Sequence, residues 1–258
     1  MSIDVAYTED GPADAPVVVL SNSLGATRAM WDPQVPALAE RYRVITYDTR
    51  GHGESPAPAG PYTLDDLVDD LVALLDRVGA ARAHVAGLSL GGMIGMRLAA
   101  REPSRVHRLA VLCSSAKVDP QPFLDRAVAA RSGGTAPLAP VVAARWLTPP
   151  YAAAHPDLVA RLEAMIAGAD DEGYAACCEV VAGMDLRDDL ARITAPTLVV
   201  SAAEDLALPP EHQRAIADGI PGAELVTVSP GAHLANLEQT LETTGVLLGH
   251  FDAAGDSR

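Results

Sequence analysis

Bulky aromatics, cysteine and positive charge are all scarce in this chain, and each shortage removes a class of answers. Two Phe and two Trp in 258 residues leave a core that has to be aliphatic. Hydrophobic residues still make up 49%, enough for a substantial core, and the many Ala, Val and Leu suit helices packed on a parallel sheet. The three cysteines, Cys113, Cys177 and Cys178, make no disulfide framework, because two are adjacent and no C-x-x-C spacing occurs. They read as reduced, buried thiols of a cytoplasmic protein. Lys and Arg number 19 against 34 Asp and Glu, a formal net charge of −15. That balance argues against a nucleic-acid partner and against an anionic membrane surface. No apolar run approaches the ~20 residues that span a bilayer. Met1–Val5 has neither a basic region nor an apolar run, so no secretory signal is expected. No His/Cys/Asp cluster has metal-ligand spacing and no G-x-x-x-x-G-K phosphate loop occurs, so neither metal nor cofactor is expected.

What is present alternates. Short unbroken apolar runs at Val17–Leu20, Val44–Tyr47, Ala83–Ala86, Leu109–Cys113, Leu198–Ser201 and Leu225–Val228 read as strands covered on both faces. Helical patterns lie between several of them. In the clearest, Leu64, Leu67, Val68, Leu71, Val72, Leu75 and Val78 form one stripe. Thr63 is an N-cap with Asp66 in the first turn, and Gly79 is a stop. The alternation predicts an α/β fold with a mostly parallel, doubly wound sheet, whose ligand site lies at the carboxyl ends of the strands. It breaks between about Ala116 and Leu190. There, helix-like stretches near Phe123–Ser132, Val141–Trp146, Asp157–Ala167 and Tyr174–Met184 are separated by turn signals at Gly133-Gly134, Pro149-Pro150 and Gly168. The expected organisation is a core of residues 1–115 and 191–258, a helical cap insertion at 116–190, and a frayed tail after about Asp252.

Gly87-Leu88-Ser89-Leu90-Gly91 sits between a strand and a helix and fits the G-x-S-x-G nucleophile elbow. Alone, the pentapeptide also fits a tight turn whose serine caps a helix. The rest of the chain favours the elbow. A serine hydroxyl needs a base, and the base needs a partner that holds its tautomer. In this architecture they follow in the order Ser, acid, His. Asp205 comes four residues after the strand ending at Ser201, with Glu204 as its competitor. Ser114-Ser115, after the preceding strand, offers no acid. Asp185, Asp188 and Asp189 look like solvated helix-end charges. His233 follows the strand Leu225–Val228 and the turn Ser229-Pro230-Gly231. Of the other histidines, His84 falls within a strand, His107 precedes one, His155 is in the cap, His212 in a helix-like stretch and His250 near the terminus, and His52 reads as a hydrogen-bonder that fixes the loop Arg50-Gly51-His52-Gly53. An oxyanion hole needs two main-chain N–H groups. The amide of Leu90 supplies one. The loop Ser21-Asn22-Ser23-Leu24-Gly25 supplies the other, taken as Leu24, although Asn22-Ser23 stands where the motif more often has His-Gly.

These residues resemble an α/β-hydrolase over nearly the whole chain, and within that superfamily they most resemble the 3-oxoadipate enol-lactonases. The resemblance rests on Asn22-Ser23-Leu24-Gly25 with Met30-Trp31, on Tyr47-Asp48-Thr49-Arg50-Gly51-His52-Gly53, and on three cap phrases: Arg145-Trp146-Leu147-Thr148-Pro149, Gly173 to Cys178, and Met184-Asp185-Leu186-Arg187. It implies an enzyme of aromatic-compound breakdown that opens 3-oxoadipate enol-lactone, a small lactone bearing a carboxylate, to 3-oxoadipate. Some members of that family are fused to a decarboxylase domain, for which a chain of 258 residues is expected to be too short. An anionic substrate approaching so acidic a protein calls for a local cation. Arg145 and Arg131 are candidates, each also readable as a solvated surface arginine. Trp31 and Trp146 are candidate pocket walls, each also readable as core. Two rival readings keep the fold: a general carboxylesterase or cofactor-free perhydrolase with the same triad, and a ligand sensor with slow chemistry.

Overall fold

Unbroken apolar strands require cover on both faces, and the computed structural model, which describes residues 1–253, supplies it. The strands are β1 (Tyr7–Asp10), β2 (Val17–Ser21), β3 (Arg43–Tyr47), β4 (Ala83–Leu88), β5 (Val106–Leu112), β6 (Thr197–Ala202) and β7 (Glu224–Val228). They form one seven-stranded sheet in the order β1-β3-β2-β4-β5-β6-β7. Every neighbouring pair is parallel except β1 with β3. β2, β4 and β6 are buried along their whole length. The strand order reverses about β2 and β4, and the crevice at the carboxyl ends of such strands is where open α/β sheets bind ligands.

β1 was not among the expected strands. All four of its residues are exposed, so it carries no apolar signal and is held by its ladder to β3. β5 begins at Val106 rather than Leu109 and takes in His107. The helix Leu64–Arg77 opens on a reciprocal capping box. Thr63 Oγ1 accepts from the Asp66 amide at 3.1 Å and Asp66 Oδ2 accepts from the Thr63 amide at 2.9 Å.

Between β5 and β6 the described residues form helices and no strand. Gln121–Gly133 packs against Asp171–Gly183, and Pro156–Ala167 lies between them in sequence. Two expectations change here. Pro149-Pro150 is not a turn but the first turn of a helix, Pro149–Ala154, where proline's missing N–H costs nothing. Asp189 is not a solvated charge. It is buried and paired with Arg97 at 2.8 Å and Arg192 at 3.1 Å. The tail expected after about Asp252 lies, beyond Ala253, outside the described residues.

Thr63→Ala removes one half of the capping box. We expect it to lower the unfolding free energy by about 1 kcal/mol, read as a shift of the urea midpoint at unchanged slope. No shift would mean that the helix is anchored by packing alone.

Candidate active site

β4 ends at Leu88 and the next helix starts at Leu90, so Ser89 alone turns the chain. It does so at φ 57°, ψ −115°, a conformation that L residues rarely adopt. Its backbone is fully engaged. The amide donates to the Leu112 carbonyl at 2.9 Å, and the carbonyl accepts from the Met93 amide at 3.1 Å and the Ser114 hydroxyl at 2.7 Å. The flanking glycines are set by contact. A Cβ on Gly91 would stand 2.2 Å from the Ser21 carbonyl oxygen, and one on Gly87 2.1 Å from the Gly91 carbonyl oxygen.

That closeness joins the elbow to the loop after β2. The Gly91 amide donates to the Asn22 carbonyl at 2.9 Å. Among the described residues, the amides of Leu24 and Leu90 donate to no protein acceptor. Two main-chain donors are therefore available beside Ser89, as an oxyanion requires. The loop is fixed by the buried His52, whose Nε2 accepts from the Gly25 amide at 2.9 Å while Nδ1 donates to the Arg50 carbonyl at 3.0 Å. Burial pushes the His52 imidazole below its ordinary value, which keeps it neutral and able to accept.

Asp205 follows β6 and is buried. Its Oδ1 accepts from the amides of Ala207 (2.8 Å) and Leu208 (2.9 Å), and its Oδ2 accepts from His233 Nδ1 at 2.9 Å. The carboxylate thus fixes the ring and leaves the other imidazole nitrogen for proton transfer. The competing Glu204 points elsewhere and accepts from the Gly231 amide at 2.6 Å, which pins the loop that bears His233. That loop is also fastened to the helical segment. The Leu234 amide donates to the Trp146 carbonyl at 2.8 Å. Buried Glu238 accepts from the amides of Thr148 (3.0 Å) and Ala232 (3.3 Å) and from the Thr148 hydroxyl.

Ser89, His233 and Leu24 line one cavity with Arg145 and Trp146. Two further candidates are elsewhere. Trp31 is fully buried in the core and does not line the cavity. Arg131 is clamped by Glu172 (2.8 Å) and by Glu179 on the outside of the helical segment, so its charge is already neutralised. Sequence reasoning missed Arg126. It is half-buried, lines the same cavity, and its guanidinium lies 4.6 Å over the Phe123 ring. Among the described residues it has no carboxylate partner. The signal was available, since Phe123 and Arg126 are three apart on a helix and share a face. Arg131, five residues on, lies about 140° further round.

Comparison with known proteins agrees with this fold. A family model described as the alpha/beta hydrolase fold matches residues 16–240. The chain is 38% identical over 239 residues to 3-oxoadipate enol-lactonase 2 of Acinetobacter baylyi, covering 92% of this chain and 89% of that one. The solved enol-lactonase of Burkholderia xenovorans LB400 superposes with a TM-score of 0.94 at 40% identity, covering 96% of each chain. RutD of Stutzerimonas stutzeri, named for carbamate hydrolysis, is 32% identical over 247 residues and is covered over 92% of both chains.

Gly91→Ala forces the elbow away from β2. We expect about 1–3 kcal/mol of destabilisation from overpacking together with loss of hydrolysis. A variant of wild-type stability and activity would mean that the contact with Ser21 relaxes freely.

Proposed function

The chain belongs to the α/β-hydrolase fold family, and on that premise we propose that it is a serine hydrolase opening a small carboxylated enol-lactone, with 3-oxoadipate enol-lactone as substrate. The observation that carries the reading is the company in one cavity: Ser89, an imidazole held by Asp205, and the cation Arg126 without a carboxylate partner among the described residues. The enol-lactonase relatives support the substrate class.

Ser89 Oγ attacks the lactone carbonyl and gives its proton to His233 Nε2. The amides of Leu24 and Leu90 receive the oxyanion. As the intermediate collapses, the bond from acyl carbon to ring oxygen breaks and His233 protonates the departing enol oxygen. The enol then becomes a ketone. Water attacks the acyl-serine, His233 takes its proton and returns it to Ser89, and the carboxylic acid leaves. Asp205 stays ionised throughout and holds the ring. An enol departs more readily than an ordinary alcohol, so ring opening asks little of the acid. Arg126 receives the substrate carboxylate, a local attraction against a protein of net charge −15 whose overall field slows anions. The enzyme acts in the cytoplasm in aromatic-compound breakdown.

The carbamate reading, favoured by the likeness to RutD, keeps the same residues and changes the leaving group. Paired assays on the enol-lactone, an aryl acetate and a simple alkyl carbamate separate these readings, because specificity is a ratio of kcat/KM values. A dominant lactone value is expected. Comparable values would favour a general esterase, and turnover far below ~1 s⁻¹ on all of them would favour a sensor.

Ser89→Ala should retain the fold and lose turnover, and Asp205→Asn should lower kcat by about 10⁴. Full turnover of the Ser89 variant would end the mechanism. Arg126→Ala should raise KM for the anionic lactone about 10- to 100-fold, the worth of a charged hydrogen bond, and leave KM for a neutral aryl acetate in place. Equal effects on both substrates would remove Arg126 from carboxylate binding.

A further inference from the structure

A second concavity lies against the catalytic one. The cavity holding Ser89 has a volume of about 100 Å³, whereas the neighbouring groove has about 590 Å³. The groove is walled mainly by Leu147, Pro149, Pro150, Tyr151, Leu206 and Pro230. Its carboxylates are already engaged, Glu204 with the Gly231 amide and Glu238 with Thr148 and Ala232. What remains is an apolar trough.

The two spaces are separated by a wall of few parts. Arg145 lines both. Leu206 faces the groove while the next two residues, Ala207 and Leu208, face the cavity; likewise Ala232 faces the groove and His233 the cavity. The main-chain parts of this wall are pinned, since Asp205 holds the amides of Ala207 and Leu208 and Glu204 holds that of Gly231. Arg145 is different. Its exposed side chain reaches across to the Leu206 carbonyl, the one hydrogen bond its guanidinium makes among the described residues. Of the wall's parts, it is the side chain whose removal costs one bond to the Leu206 carbonyl and leaves in place the bonds that Asp205 and Glu204 make.

Direction decides what the groove would hold. The acyl oxygen turns toward the amides of Leu24 and Leu90, and Leu24 lines only the catalytic cavity of the two. The leaving oxygen must reach the imidazole of His233, whose loop forms the groove's edge through Pro230 and Ala232. A substituent on the leaving oxygen is therefore the part of a substrate that points past His233 to the groove.

We propose that this groove is a leaving-group subsite for apolar alkyl chains, and that Arg145 partitions it from the nucleophile and so restricts the enzyme to compact substrates. The inference rests on the reading of Ser89 and His233 given above and deepens it by naming a specificity residue and a substrate class, esters and lactones alkylated on the leaving-oxygen side.

The test compares kcat/KM for ethyl acetate, octyl acetate and ethyl octanoate in the wild type, in Arg145→Ala, and in the double variant that adds Ala154→Trp. Ala154 is exposed and lines the groove, so the larger side chain fills the groove without entering the core. The octyl acetate to ethyl acetate ratio should rise about tenfold or more in Arg145→Ala, the scale of burying added methylenes. The ethyl octanoate to ethyl acetate ratio should not follow it. Adding Ala154→Trp should reverse the rise. The subsite is overturned if the octyl acetate ratio stays constant, if both ratios rise together, or if Ala154→Trp changes nothing. Absence of ethyl acetate hydrolysis in every variant would overturn the subsite alone, whereas absence of Ser89-dependent enol-lactone hydrolysis in the wild type would overturn the underlying hydrolytic reading, and the subsite with it.

Discussion

Everything at this site hangs on how closely the helix start at Leu90 approaches the end of β2. Gly91 touches the Ser21 carbonyl so tightly that no Cβ fits, and its amide bonds to the Asn22 carbonyl. One contact therefore fixes three things together: the sharp turn of Ser89, the direction of the Leu90 amide, and the distance to the loop that carries Leu24. A donor pair preorganised in this way needs no rearrangement to receive a developing negative charge. The glycines are consequences of main-chain proximity. The unusual conformation of Ser89 is held by bonds to Leu112, Met93 and Ser114 from both neighbouring elements, as a strained functional residue must be.

Electrostatics gives the site a second, independent logic. Arginines on this acidic surface mostly stand in ion pairs: Arg97 with Asp65 and Asp189, Arg101 with Asp69 and Glu102, Arg131 with two glutamates. Those pairs offset local charge and contribute little each to stability where they are exposed. Arg126 and Arg145 depart from that pattern, both lining the cavity of Ser89 with no carboxylate partner among the described residues. The stacking of Arg126 on Phe123 engages the guanidinium through an aromatic face and neutralises none of its charge.

The sequence made the sheet, the elbow and the order of the candidate residues legible because these follow local rules. Parallel strands are written as apolar runs, Ser89 stands in a five-residue pattern, and Asp205 and His233 are identified by their distance past strand ends. What stayed hidden depends on which side of an element faces what. β1 has no buried face to announce it. The pairing of Asp189 with Arg97 joins residues far apart in the chain. Arg126 and Arg131 share a helix and a charge, and only helical phase, which composition does not record, separates the one that lines the cavity from the one paired outside it. Trp31 and Trp146 are chemically alike, yet one is closed in by the core and the other lines the cavity. Glu204 and Asp205 are adjacent, and only the hydrogen bonds distinguish the loop pin from the partner of the imidazole.

The same bonds explain why the helical segment and His233 do not vary independently. The Trp146 carbonyl accepts from the residue after His233. Glu238, on the short helix that follows, ties Thr148 to the residue before His233. A buried carboxylate that accepts from two amides and a hydroxyl is costly to leave half-satisfied, so a shift of the Trp146–Thr148 segment is transmitted to the imidazole. Substrate-facing residues on that segment are thereby set in register with His233, and a change in pocket shape there alters the base as well as the fit. Arg145 escapes this constraint, because its side chain extends outward from the tied backbone and its guanidinium bonds to the Leu206 carbonyl alone among the described residues. Substitution is therefore least costly at Arg145 and most costly one residue later, where Trp146 holds the loop that positions His233.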